Sequence, residues 1–549
     1  MHKIISLFGI LLFSCAQAGD LPYSKGALVW QDNFTGGDGW SRLESARFSN
    51  GTLTIKAGEG GGDSGEKALA RNVLGQETKS TQKTNYTVSR GVMSRLKNAA
   101  GYLMEVSVEI KSSRVPVPDV TWEGVRFAVN YATSTTDFTD TYYGIRGDFG
   151  WKTFRFKTRI PSDVRDMSVT LGILGREGEA SFRNLKFTVL DLPRRAYFPK
   201  TPTPPPYKGQ NLAGLRGFNS QNAVIPQLKR IAPKWNANVY KGRMNLPKEI
   251  LSDAELDRWL EANIFKTWDQ APAKAAEAGV YFVMELSASR WRDPADKTGS
   301  TDFQYYKPGY ADYLVKIWEK IARRYKGAKN IYGFELLNES PVRIEKQDGY
   351  PDYEEMMERI ALAINKIDSE RTIIIQPEEY WGVRAFETMR PINARNVVYA
   401  PHFYSPFPFT HQMIGGNPYP VSYPGKVGSR EWNKELLRRD LQPARDFQQA
   451  YNVHMIVSEF GAIAAAPGRE QWVNDAIEIF EEYDWDWMFH AAEEWWGWRP
   501  DRVLNRELPF DPAKWSEEKF WKEDDSAPTG QVLRKFFQKN RLPAVVPSR

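Results

Sequence analysis

The chain of 549 residues carries 74 lysines and arginines against 68 aspartates and glutamates, a net charge of +6. That length holds two or three domains with ample material for a large core. With no block of lysine and arginine, the charge gives no reason to expect a nucleic-acid partner. The compositional outlier is aromatic, with 19 tryptophans and 25 tyrosines; indole stacks on flat apolar surfaces while keeping an N–H to bond.

Lys3, the apolar run Ile4 to Phe13 and Ala16-Gln-Ala18 form a charged start, an apolar middle and a small-x-small cleavage site, the pattern of a secretory signal peptide over residues 1–18. The run is too short to span a bilayer. The only cysteine, Cys15, lies inside it, so a secreted or periplasmic mature chain is expected to rest on its core and not on disulfides. Leu12-Phe-Ser-Cys15 also loosely resembles a bacterial lipoprotein processing site. A lipid anchor at Cys15, at the cell envelope, is therefore the alternative.

Residues 20–195 read as all-β. Leu103 to Lys111 alternates apolar and polar residues from Met104 on, the pattern of a strand with one buried face. Phe154 and Phe156, then Val169, Leu171 and Ile173, then Leu185, Phe187 and Val189 give further period-two runs between turn residues, which points to a sandwich. The runs Gly150 to Phe156 and Phe182 to Val189 resemble the jelly-roll modules that bind carbohydrate beside a hydrolase. A purely structural sandwich packed on its neighbour is the other reading. Trp122 and Trp151 are candidate stacking platforms, although such tryptophans are commonly core residues.

Residues 196–209 include Pro199 to Pro206, a proline-rich, extended and semi-rigid linker. From 210 to 545 strands and helices alternate. The strands are Leu215 to Asn219, Asn238 to Asn245, Val280 to Leu286, Ile331 to Leu337, Thr372 to Gln376, Val397 to Ala400, His454 to Ser458 and Asp486 to Phe489. Helical patterns between them include Tyr310 to Lys326, Asp352 to Ile367 and Arg469 to Tyr483, and a last helix begins near Gln531. Eight such units in a little over 300 residues fit a (β/α)8 TIM barrel, which keeps its chemistry at the carboxyl ends of its strands.

Two of those ends carry glutamates: Asn338-Glu339 on the fourth strand and Ser458-Glu459 on the seventh, facing one another across a barrel mouth. Two carboxyl groups are what glycosidic hydrolysis requires. With retention, one protonates the leaving oxygen and a carboxylate about 5 Å away attacks the anomeric carbon.

Here the sequence resembles glycoside hydrolase family 5, within the clan of retaining barrel glycosidases, over roughly Leu215 to Arg499. The likeness extends to His402-Phe-Tyr404-Ser-Pro-Phe-Pro-Phe-Thr-His-Gln412 on the sixth strand and to Phe489-His-Ala-Ala-Glu-Glu-Trp495-Trp-Gly-Trp498 on the eighth. It implies Glu339 as acid/base, Glu459 as nucleophile, and Asn338 as the partner of the sugar 2-hydroxyl. His402 and Tyr404 would orient the carboxylates. Trp495, and after it Trp498, would lie under the cleaved sugar. The family also places an arginine on the second strand to hold the nucleophile. Alignment without gaps favours Lys241 for that place, whereas the planar fork of a guanidinium favours Arg243, and Arg243 is the expected residue. Trp291 and Trp381, after the third and fifth strands, are candidate subsite platforms. Glu378 and Glu379 are read as substrate contacts or surface. His411, His454 and His490 are read as structural. With no paired histidine or cysteine at ligand spacing, neither a catalytic metal nor a cofactor is expected.

Three positions depart from the family pattern: Ser340 in place of proline, Glu285-Leu-Ser287 at the third strand end, and His490 where many members have tryptophan. They bear on substrate identity. The expected activity is that of an exported endo-β-1,4-glucanase. A hemicellulase acting on mannan, xyloglucan or another β-glycan is the alternative. A carbohydrate-binding protein without turnover stands further off, because Glu339, Glu459 and Asn338 are all intact.

Overall fold

The computed structural model describes residues 21–541 apart from 42–43, 59–84, 117–123, 143–144, 146, 176, 202, 210–213, 221–223, 248–250, 288–308, 341–350, 379–381, 493, 506, 510, 512–513 and 515–516. The segment containing Cys15, and with it Trp122, Trp291, Glu379 and Trp381, lies outside the described residues.

The N-terminal part forms two antiparallel sheets. One is built on Gly178–Asp191 and Leu103–Ser113, with Phe149–Arg159, Thr52–Ala57, Ala46–Ser49 and Leu28–Asp32; the other runs Asn85–Gly91, Asp166–Leu174, Gly124–Ala132, Asp137–Thr141. The period-two reading of Leu103–Ser113 matches its burial. Met104, Val106, Val108 and Ile110 are fully buried and meet Phe127, Val129, Val169 and Leu171 of the second sheet in one core. Each such side chain contributes roughly 1.5–3 kcal/mol on leaving water. Trp151 is not in that core: it is 36% exposed, with the Arg183 guanidinium 4.2 Å above its ring.

The larger part is a parallel barrel. Its strands are β1 (Arg216–Ser220), β2 (Val239–Asn245), β3 (Tyr281–Ser287), β4 (Ile331–Asn338), β5 (Thr372–Ile375), β6 in two pieces (Val397–Tyr399 and His402–Phe403), β7 (Ile456–Phe460) and β8 (Asp486–His490). Each pairs with the next, β8 pairs with β1, and the second piece of β6 pairs with β7, which closes the ring. β7 lies two residues later than its apolar run suggests. His454 instead turns to Asp486 beneath the barrel, Nε2 to Oδ2 2.8 Å, and Glu459 falls inside the strand. After β5 the described residues form the 3₁₀ segment Val383–Glu387 before β6.

Helices α1 (Val224–Trp235), α2 (Tyr310–Arg324), α3 (Tyr353–Ile367), α4 (Gln442–Tyr451), α5 (Arg469–Glu482) and α6 (Pro528–Phe537) cover the outside. Their apolar faces repeat at helical spacing, as Leu314, Ile317, Trp318 and Ile321 do along α2, all fully buried. The start of α3 is fixed by Asp352, whose carboxylate accepts the N–H of Glu355 at 2.8 Å, a cap of the sort that contributes about 1 kcal/mol.

The two parts are joined by more than the proline-rich segment. Arg159 donates to the carbonyl of Glu387 (2.6 Å), Arg194 to that of Met389 (3.0 Å), and Arg430 to Asp137 (2.6 Å). Arg384 lies 4.0 Å from the ring centre of Phe138. The linker is itself held: Asn452 donates to the carbonyl of Pro204, and the Tyr207 hydroxyl bonds that of Thr372. Among the described residues no helix is long and apolar enough to cross a membrane.

Candidate active site

Strand alternation divides the barrel interior into two levels. Leu215, Val239, Val283, Tyr332, Ile374, Val398, Ala400, Ile456 and Met488 come from all eight strands or their entry and pack into one apolar plug. Two or four residues further along, the inward side chains are Asn219, Lys241, Arg243, Glu285, Gln376, His402, Tyr404, Ser458 and His490. β2, β3 and β4 align Arg243, Glu285 and Glu335 side by side, so a polar, charged level sits on the apolar one.

Glu459 is held on both oxygens. Oε1 accepts the Tyr404 hydroxyl at 2.6 Å; Oε2 accepts Asn219 Nδ2 at 2.6 Å and Arg243 Nη2 at 3.0 Å. Burial alone would raise this carboxyl, but the electrostatic pull of its neighbours His402, His490, Arg243 and Lys241 outweighs it and holds Glu459 well below the ordinary 4.5. Of the two second-strand candidates, Arg243 reaches Glu459. It does so with one arm only, because its Nε is committed to Glu285 at 2.6 Å. Lys241 lies deeper, donates to Glu285 Oε1 at 2.6 Å and forms an ion pair with Glu335 Oε2 at 3.1 Å. Lys241, Glu285 and Glu335 have no exposed surface at all, and a buried charge is tolerated only when paired.

Glu339 follows β4 in a left-handed conformation, φ +47°, which is uncommon for a side chain other than glycine and costs on the order of 1–3 kcal/mol. Its N–H donates to Gln376 Oε1 at 2.9 Å, and its Oε1 lies 2.9 Å from His402 Nδ1. His402 Nε2 is buried with no hydrogen-bond partner. Atoms of Glu339, His402 and Glu459, one from each, all lie within 4.8 Å of one another. Asn338, 4% exposed, offers Oδ1 to Gln376 at 3.3 Å.

Trp498 packs beside residues that face the carboxylates, with ring centres 5.2 Å from His490, 5.0 Å from His411 and 6.3 Å from Tyr404. Trp495 packs against Trp496 at 5.9 Å, Trp498 at 6.4 Å and Trp521 at 6.3 Å. In the loop after β8 the Trp498 N–H bonds the Trp495 carbonyl at 3.0 Å and folds the segment back. His490, read as structural, faces the site: its Nδ1 lies 3.1 Å from Asn219 Nδ2 and 3.9 Å from Glu459. His411 stacks on Phe407 at 4.0 Å, and burial pushes it down to about 3. Glu378 is buried and not a surface group.

Among the described residues two donor sets come close enough to hold a cation, Glu339–His402–Glu459 and Glu285–Glu335–His402. In both, Lys241 or Arg243 already lies against a carboxylate.

Sequence reasoning passed over Asn219, Glu335, Gln376 and Ser458. Ser458 donates to Glu335 Oε1 at 2.6 Å. The available signal was Glu335 itself, a charge in the middle of an otherwise apolar strand. Glu285 was visible only as a departure from a family pattern.

Residues 203–497 match the family model described as cellulase (glycosyl hydrolase family 5). Endoglucanase C of Acetivibrio thermocellus is 31% identical over 211 residues, covering 34% of this chain and 60% of the relative. Endoglucanase 3 of Fibrobacter succinogenes is 23% identical over 215 residues, covering 33% of this chain and 32% of the relative. The chain thus spans 60% or less of the length of these two relatives. Among solved structures, endoglucanase Cel5A of Thermotoga maritima is 18% identical with a TM-score of 0.41, covering 58% of this chain and 97% of that one.

Proposed function

The chain belongs to the cellulase family, glycosyl hydrolase family 5, and from that we propose that it is a retaining β-glycoside hydrolase that cuts within β-1,4-glucan. The observation that carries the reading is the approach of Glu339 and Glu459, with one oxygen of each within 4.8 Å. That approach is in keeping with the roughly 5–5.5 Å between the carboxyl groups of retaining enzymes, against roughly 6.5–9.5 Å in inverting ones.

In the first step a Glu459 oxygen attacks the anomeric carbon while Glu339 gives its proton to the departing glycosidic oxygen. The bond to the leaving sugar breaks and a glycosyl ester forms on Glu459. In the second step Glu339 takes a proton from water, the water oxygen attacks the same carbon, and the ester bond returns its electrons to Glu459. Tyr404, Asn219 and Arg243 hold the attacking carboxylate, which must remain ionised. His402, whose Nδ1 lies 2.9 Å from Glu339 Oε1, holds that carboxyl in place. Asn338 is assigned to the sugar 2-hydroxyl. Trp498, which packs beside His490 and Tyr404, is the assigned stacking platform.

The N-terminal sheets are read as a jelly-roll sandwich that binds glycan, a role that the exposed Trp151 supports. Export by the 1–18 segment, with lipidation of Cys15 as its alternative, completes the reading.

Release of reducing sugar from cellulose, barley β-glucan, glucomannan, xyloglucan, xylan and mannan tests the substrate class. Cutting of cellulose or mixed-linkage glucan above the others is expected. Preference for mannan, xylan or xyloglucan assigns a hemicellulase, and no release from any of them contradicts the reading.

A further inference from the structure

Gln376, immediately after β5, is 1% exposed and bonded at both ends of its amide. Oε1 accepts the Glu339 N–H at 2.9 Å. Nε2 lies 2.6 Å from Glu335 Oε1, 3.1 Å from Glu285 Oε1 and 3.3 Å from Asn338 Oδ1, more acceptors than its two hydrogens can serve at once. The amide can sit only one way round. Turned over, its oxygen would face two carboxylates and its NH₂ would face an N–H, so every contact would become repulsive. The backbone behind it is fixed as well, since the Tyr353 hydroxyl donates to the Gln376 carbonyl at 2.9 Å.

The residue at the far end of this strut is the one the backbone disfavours. Glu339 stands at φ +47°, and the bond from its N–H to Gln376 ties that conformation to the buried cluster of Lys241, Glu285 and Glu335. Asn338, the neighbouring residue assigned to the sugar, is held by the same amide. We propose that Gln376 is a positioning residue that sets where the acid/base carboxyl of Glu339 stands over the glycosidic oxygen. The inference rests on the reading of Glu339 as acid/base. A displacement of about 1 Å at such a group costs on the order of 10²-fold in rate.

The test compares two aryl cellobiosides that differ only in leaving group. Formation of the glycosyl ester from phenyl β-cellobioside needs a proton from Glu339, whereas 2,4-dinitrophenolate leaves without one. Glu339→Ala is the reference for loss of the acid. Gln376→Met removes the acceptor for the Glu339 N–H. Its kcat/KM should fall roughly 10²-fold on the phenyl glycoside and by less than about threefold on the dinitrophenyl glycoside, the same skew as the reference. Gln376→Glu keeps an acceptor oxygen and, as the acid, a donor for Glu335. It should bring the phenyl substrate back to within about tenfold of wild type. If Gln376→Met does not fold, Gln376→Asn, too short to reach the N–H, is read by the same criterion.

An equal fall on both substrates, or no fall on either, overturns the positioning role, because a residue that merely supports the barrel has no means of sensing the leaving group. If wild type consumes neither glycoside and releases nothing from the polysaccharides, the hydrolase reading falls first. If wild type and Glu339→Ala behave as expected and the Gln376 variants show no skew, only this inference falls.

Discussion

Glu459→Ala should lower kcat by a factor on the order of 10⁴ or more with the fold intact. The fold is expected to survive because Arg243 keeps its 2.6 Å bond to Glu285 when Glu459 is gone. The space left by the carboxylate lies beside the anomeric carbon and is lined by Arg243, Tyr404 and Asn219, a set suited to a small anion. Added azide should therefore restore turnover of an activated aryl cellobioside and appear in the product as the α-glycosyl azide, since it attacks from the nucleophile's side. Loss of activity with no azide product, or a β-azide, would mean that Glu459 is not the attacking group. Wild type adds a pH signature. Because Glu459 is held ionised well below the ordinary 4.5, protonation of the nucleophile should not cut kcat/KM until the pH falls below that value.

The second large effect is on stability. Lys241→Met leaves Glu285 and Glu335, neither with any exposed surface, without the ammonium that lies 2.6 and 3.1 Å from them. Removing one partner of a buried ionic cluster costs about 3–5 kcal/mol, read as a fall in the denaturant midpoint. Burial disfavours the ammonium, but Glu285, Glu335 and Glu459 more than compensate and raise Lys241 above its ordinary 10.5. A raised cation contributes its full stabilisation below the unfolded value and loses it only as the pH climbs through the folded one. The whole penalty is therefore expected at neutral pH. A cost below about 1 kcal/mol would show that Arg243 and Gln376 suffice for the two carboxylates. Adding Glu335→Gln should recover part of the loss, because one uncompensated charge is removed with the lysine.

These two effects belong to different layers of legibility. Glu339 and Glu459 stand out in the sequence because each ends a short apolar run, a local feature, and His402-Phe-Tyr404 adds a second local pattern on a neighbouring strand. The barrel follows from the same runs, and the alternation in Leu103–Ser113 marks one N-terminal sheet in the same way. The cluster beneath the carboxylates is not local. Glu285 and Glu335 become neighbours of Arg243 only through the register of β2, β3 and β4, and Gln376 joins them from a fourth strand. In the sequence each is an isolated polar residue whose partner lies tens of positions away. The ring contacts of Trp495 and Trp498 depend on how one loop folds back on itself, which spacing along the chain does not encode. The docking of the N-terminal sheets through Arg159, Arg194 and Arg430 is equally invisible, since surface arginines look alike until the other surface is present.

The central claim is that Glu459 attacks the sugar directly, and the stereochemistry of the first product tests it. Proton NMR should follow the anomeric signals during the first minutes of cello-oligosaccharide cleavage, before mutarotation mixes them. Double displacement by Glu459 and water predicts that the β-anomer of the new reducing end appears first and the α-anomer grows in later. The α-anomer appearing first would mean a single displacement by water, and Glu459 would then be a base and not a nucleophile.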